Sequence, residues 1–188
     1  MNAVRVMNHL ILPNWQLSRA FPAEILDNIE DAIENSEALH TAEIFFAVEG
    51  ALDAHALRCG QSAKARALEV FSNLRVWDTE ANNGVLIYLL LADREVEIIA
   101  DRAAHGKVGN DGWQDICRAM EIAFKQANFE AGVLLGIEAI TQHLISHFPK
   151  RQRGQIRPNE LTNTSATLAA APRQLKHWSA KYREHSGN

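Results

Sequence analysis

One stretch constrains the fold more than any other: residues 82–101, NNGVLIYLLLADREVEIIAD. Residues 85–92 form a continuous apolar run, too short for a typical helix and rich in β-forming side chains. Such a run predicts a strand covered on both faces. Asp93 and Arg94 break it, and residues 95–99 resume with partial alternation. The pattern predicts a β-hairpin whose second strand has one wetter face.

The segments before this hairpin supply its neighbours. Pro22 opens a helix with Ile25, Ile29 and Ile33 in one stripe, opposed by an acidic face, ending near His40. Residues 42–48 (AEIFFAV) read as a first strand, and residues 51–57 as a helical turn. Ser62 caps a helix running to about Arg75. Strand, helix, strand makes a βαβ unit, so the first and central strands are expected to be parallel, with a right-handed crossover.

After the hairpin, residues 102–109 are expected to form a connection with a short extra strand around Lys107 and Val108. A helix over 112–126 follows, capped by Asn110 or Asp111, with Trp113, Ile116, Cys117, Met120 and Phe124 inward. Asn128 opens a last helix to Phe148, stopped by Pro149. Gly132 and Gly136, four apart, allow close packing against a neighbour. The expected fold is a three-layer α/β/α sandwich around a small mixed β-sheet: a βαβ unit, a β-hairpin and two C-terminal helices.

Three regions are expected. Residues 1–21 form an arm, with a short amphipathic helix over 1–12 and a connector carrying Trp15, Leu17 and Phe21. Residues 22–149 form the domain, and residues 150–188 a basic, polar tail without a core of its own. Within that tail, residues 173–182 are a candidate helix anchored by Leu175, Trp178 and Tyr182.

Charge separates these regions. Residues 1–149 carry 11 basic and 21 acidic side chains; residues 150–188 carry 8 basic and 2 acidic. So acidic a body argues against nucleic-acid binding, which needs a basic surface. Two cysteines, Cys59 and Cys117, make no disulfide framework. No apolar run approaches the roughly 20 residues that span a bilayer, and the first residues lack a cleavable leader pattern. The expected location is cytoplasmic.

The segments 82–88 (NNGVLIY), 93–98 (DREVEI) and 128–133 (NFEAGV) together resemble the TPM domain family, over about residues 22–148. That group includes thylakoid-lumen proteins linked to photosystem II repair and many bacterial proteins. The resemblance implies an α/β/α sandwich. Because some members are acid phosphatases and some bind calcium, it also implies a candidate phosphatase activity and a candidate Ca²⁺ site. Many members carry a Gly-Tyr-Gly-Leu-Glu run after the second hairpin strand. Here residues 100–106 read ADRAAHG, so no glutamate is carried over.

The topology gathers oxygen donors at one end of the sheet. If the first and central strands are parallel, Glu43 lies beside Asn82 and Asn83, and the hairpin returns Asp101 to the same end. Asp78 and Glu80 lie in the loop that feeds the central strand. Hard cations such as Ca²⁺ or Mg²⁺ take such ligands, so the candidate metal set is Asp78, Glu80, Asn82, Asn83, Asp101 and Glu43. Asp78, Glu80 and Asn82 have the spacing that opens an EF-hand loop, but Asn83 stands at its glycine position and Leu89 at its twelfth. Turn chemistry alone also accounts for these Asx residues. No organic cofactor is expected.

Other groupings compete. Glu49, Asp53, His55, Asp93 and Arg94 mark the opposite end, where open α/β sheets usually bind ligands. His143 and His147 have an i, i+4 metal-binding spacing but lack the glutamate of an HExxH helix. No Cys-x5-Arg loop or phosphate-binding glycine loop is present. The function expected is a regulatory or protein-binding module with a divalent-cation site. One alternative is a metal-assisted phosphomonoesterase; another is a module touching a membrane surface through its arm.

Overall fold

The computed structural model describes residues 3–12, 14–150 and 166–168. Its centre is a mixed sheet of four strands: β1 (Glu43–Glu49), β2 (Gly84–Leu90), β3 (Glu95–Ala100) and β4 (Ala166–Leu168). The order is β3-β2-β1-β4. β1 lies parallel to β2, with Glu43 opposite Gly84 and Glu49 opposite Leu90. β3 returns antiparallel to β2, with Val85 opposite Ala100. Every residue of β1 and β2 is buried, the glutamates at both ends of β1 included, while β3 alternates between buried and half-buried positions.

Among the described residues, seven helices surround the sheet: α1 (Ala3–Ile11), α2 (Asn14–Ala20), α3 (Ala23–Glu37), α4 (Ala54–Arg58), α5 (Ala63–Asn73), α6 (Arg102–Lys125) and α7 (Phe129–His147). Alternation along the strands divides the core in two. Ile44, Phe46, Val48, Val85, Ile87 and Leu89 face one apolar layer with α3, α6 and α7. Phe45, Ala47, Leu86, Tyr88 and Leu90 face the other, under α5. This is the expected α/β/α sandwich.

Gly132 and Gly136 set the distance between α6 and α7. A Cβ at Gly132 would stand 2.5 Å from the Phe124 ring, and one at Gly136 2.4 Å from the Met120 sulfur. α3 is joined to α7 through buried polar groups. Thr141 donates to the Ile137 carbonyl (2.6 Å), leaving its oxygen to accept from Ser36 (2.5 Å). Ser36 in turn accepts from His40 Nε2 (2.9 Å). Burial holds the His40 imidazole down at about 4, so it is neutral at pH 7.

The fold departs from the sequence reading in three places. The connector carrying Trp15 and Leu17 is helix α2, with Leu17 buried against the core. No strand forms at Lys107 and Val108: Asp101 caps a helix directly after β3, which continues to Lys125 across one break at Gly109 (φ 77°). Gly106 and Gly109 weaken the helical signal there, and Asp101 restores it. Finally, Ala166–Leu168 adds a short parallel strand to the otherwise open edge of β1. The candidate helix over 173–182 lies outside the described residues.

Candidate functional site

The entrance to β2 begins where α5 ends. Arg75 adopts a left-handed conformation (φ 54°) as the chain leaves the helix, and Val76 N–H donates back to Phe71 (3.1 Å). The loop then folds on Thr79. Its carbonyl accepts from Asn82 N–H (3.2 Å) and its hydroxyl from Asn83 N–H (3.1 Å). Asn83 is buried, and its side-chain amide donates to the Thr41 carbonyl just before β1 (2.8 Å). Gly84 is required next: a Cβ there would stand 1.9 Å from the Val76 carbonyl oxygen.

The hairpin brings Asp101 back to this entrance, where Asp101 N–H donates to the Gly84 carbonyl (2.9 Å). One carboxylate oxygen of Asp101 accepts from Arg102 N–H (2.7 Å) and starts α6. The other, Oδ2, is buried and has no hydrogen-bond partner among the described residues; the residue is only 9% exposed. Asn82 stands beside it in a left-handed conformation (φ 49°), its carbonyl accepting from Ala103 N–H (2.9 Å) and its side-chain oxygen from Arg102 (2.8 Å).

The six expected ligands therefore separate by role. Asn82, Asn83 and Asp101 meet at the paired starts of β2 and α6 through these bonds. Glu43 is buried at the first position of β1, in register with Gly84. Asp78 and Glu80 lie on the exposed rim of the loop. Among the described residues, no three His, Cys, Asp or Glu side chains converge as a ligand set.

Glu37 belongs to the same end and was not anticipated. It lies at the close of α3, and its carboxylate accepts from Ile44 N–H (2.8 Å). Burial pushes its acid form up to about 7, against the pull of that hydrogen bond and with a further push from Glu43. In sequence it is one more acid on a solvated helix face; only its place just before the β1 turn points inward.

The opposite end holds two polar clusters, each around a largely buried carboxylate. Glu49, 3% exposed, accepts from Arg66 Nε (2.8 Å), Arg66 Nη2 (3.2 Å) and the Tyr88 phenol (2.6 Å). Burial and the Glu49 charge both push the Tyr88 phenol above its ordinary value. Asp93, at the hairpin tip, accepts from Arg5 (2.9 Å) and His9 Nε2 (3.0 Å). His9 Nδ1 accepts from Leu52 N–H (2.9 Å), so the ring carries its proton on Nε2.

Beside this tip opens a cleft of about 640 Å³, walled by Leu12, Trp15 and Phe129 and edged by Arg19, Arg94 and Glu130. His55 and Cys59 form an exposed pair (3.7 Å). His143 lies against the Trp113 ring (centroids 6.5 Å apart), whereas His147 is exposed. Among the described residues no helix is long and apolar enough to cross a membrane.

Comparison with known proteins bears on the whole arrangement. BA42, a protein of the psychrophilic bacterium Bizionia argentinensis solved by NMR, is 32% identical. The match covers 77% of this chain and 93% of that one, with a TM-score of 0.66. The N-terminal domain of a P. gingivalis protein shares the fold at 21% identity and a TM-score of 0.53, over 75% of this chain and 95% of that one. No curated protein matches. The family model of the TPM domain matches residues 18–143. The chain belongs to the TPM domain family.

Proposed function

We propose that the protein is a non-catalytic, cation-linked binding module, with Ca²⁺ or Mg²⁺ held at the entrance of β2 and a protein partner received in the cleft at the far end. The observation that carries the reading is Asp101 Oδ2. A buried carboxylate oxygen without a donor is costly, by about 1–3 kcal/mol or more, and a hard cation offsets that cost. Asp101 would provide the inner oxygen, joined by Asn82 once the exposed Arg102 side chain turns away from its oxygen, and Asp78 and Glu80 the outer ones from the loop rim. The donor set is all oxygen, which fits Ca²⁺ or Mg²⁺ and not a thiolate-seeking metal. In the cleft, Trp15 and Phe129 offer aromatic surface, while Arg19 and Arg94 would favour an acidic partner segment.

The test is thermal unfolding of chelator-stripped protein, with and without excess Ca²⁺ or Mg²⁺. A ligand at about 100 times its Kd raises stability by about 2.7 kcal/mol, so a clear rise in Tm is expected. Asp101→Asn keeps a capping oxygen and should lose that rise. An unchanged Tm with either ion would reject the cation-linked reading. Turnover of a generic phosphate monoester that needs the ion and is lost in Asp101→Asn would replace the non-catalytic reading with a hydrolase.

A further inference from the structure

The arm is an amphipathic helix lying with its polar side inward. Arg5 and His9, four residues apart on α1, face the domain and grip Asp93; Arg5 also donates to the Gln61 carbonyl (3.0 Å). The apolar side therefore points outward: Met7, Leu10, Ile11 and, on α2, Trp15 are each more than half exposed. A helix of this pattern normally buries its apolar stripe. Residues 1–21 contain no acidic side chain, whereas residues 22–149 carry 21 acidic against 9 basic.

The strand β4 ends near this place. Leu168 lies in register with Glu49 and runs in the same direction. The next residue along β1 is Gly50, whose Cβ position is 3.5 Å from Leu12 and 3.6 Å from Leu17. Two residues further, Leu52 N–H is bound by His9. A chain that continued beyond Leu168 along the course of β1 would reach the foot of the arm. Four extended residues, 169–172, span about 13 Å. Pro172 is suited to opening a helix. Beyond it, Leu175, Trp178 and Tyr182 recur at i, i+3 and i+7, which places them on one helical face. A helix over 173–182 would be about 15 Å long, a match for the nine residues of α1.

We propose that residues 173–182 dock as a second amphipathic helix on the exposed apolar face of α1, with Leu175, Trp178 and Tyr182 covering Met7, Leu10 and Ile11. Reach and apolar spacing favour this occupant. Residues 169–188 carry Arg173, Lys176, Lys181 and Arg183 against Glu184 alone, so the acidic surface of residues 22–149 holds them near the domain, while the contact with the acid-free arm itself is apolar. A second copy would bring one acidic body against another.

The test is amide hydrogen exchange of α1 in the full-length protein, compared with Leu175→Asp/Trp178→Asp and with a chain ending at Leu168. Docking predicts that α1 amides exchange about tenfold faster in both variants, because local opening loses its opposing contacts. A peptide of residues 169–188 added to the shortened chain should restore protection. Unchanged exchange in both variants would overturn the proposal. Protection that rises with protein concentration would assign the face to a second copy instead. Protection appearing only with phosphatidylcholine vesicles would assign it to a lipid surface.

Discussion

Tyr88 donates its phenol hydrogen to Glu49 at 2.6 Å, on the α5 side of the sheet. The same carboxylate receives two hydrogen bonds from Arg66, whose side chain remains 27% exposed. β1, β2 and α5 are thereby tied at one buried charge. Tyr88→Phe removes one of three donors and should cost about 1 kcal/mol. Arg66→Ala leaves the carboxylate without its cation and should cost about 2–3 kcal/mol, less than a fully buried pair because water reaches the guanidinium. Urea denaturation with an unchanged m-value checks both. Equal costs would mean that the ion pair contributes nothing beyond a hydrogen bond.

Glu37 gives a pH dependence with a definite sign. Its acid form is held from 4.5 up to about 7 by burial. Between those values the folded protein binds the extra proton, so the contribution is fully present below pH 4.5 and is lost as pH rises through 7. Glu37→Gln keeps an acceptor for Ile44 N–H and does not titrate. Wild-type stability measured against this variant should therefore fall by on the order of 2 kcal/mol from pH 4.5 to pH 8. Buried His40, lowered from 6.5 to about 4, acts in the opposite sense. Its contribution is present above pH 6.5 and is lost as pH falls through 4. The difference between wild type and Glu37→Gln isolates the carboxyl. A flat difference across this window would contradict the assignment.

Ala127 ends α6 in a left-handed conformation (φ 60°), with Ala127 N–H bound to Phe124 and Asn128 N–H to Ala123 (both 3.0 Å). Glycine favours this helix-end position, since a Cβ there costs roughly 1–2 kcal/mol. Part of the gain is lost to the freer unfolded chain. Ala127→Gly should stabilise by about 1 kcal/mol and raise Tm by about 2–4 °C. A drop in Tm would show that the methyl group has a packing role.

Local pattern carried much of the architecture. The apolar run of β2, the break at Asp93–Arg94 and the crossover through α5 were enough to place Glu43, Asn82, Asn83 and Asp101 at one end of the sheet, where the register puts them. The spacing of Gly132 and Gly136 foretold close packing, and α6 is the helix they meet. Long-range partners were not legible. Arg5 and His9 look like interruptions of an apolar helix until the hairpin tip presents Asp93, more than eighty positions later. Likewise, Glu37 looks solvated until Ile44 folds over it. Asn83 was expected among the metal ligands; that its buried amide also fastens the loop to Thr41 was not legible. β4 was invisible for a similar reason: three residues carry no periodicity, and the pairing depends on an edge that β1 offers only once folded.

On the proposed reading, the buried carboxylate of Asp101 serves a cation at the start of β2. Calorimetric titration of chelator-stripped protein with Ca²⁺, then with Mg²⁺, tests it most directly, repeated on Asp101→Asn and Asp78→Ala. Saturable binding by the wild type is expected, abolished in Asp101→Asn and weakened in Asp78→Ala, with both variants folded. Absence of binding heat and of competition between the ions in the wild type, or full binding in Asp101→Asn, would contradict it.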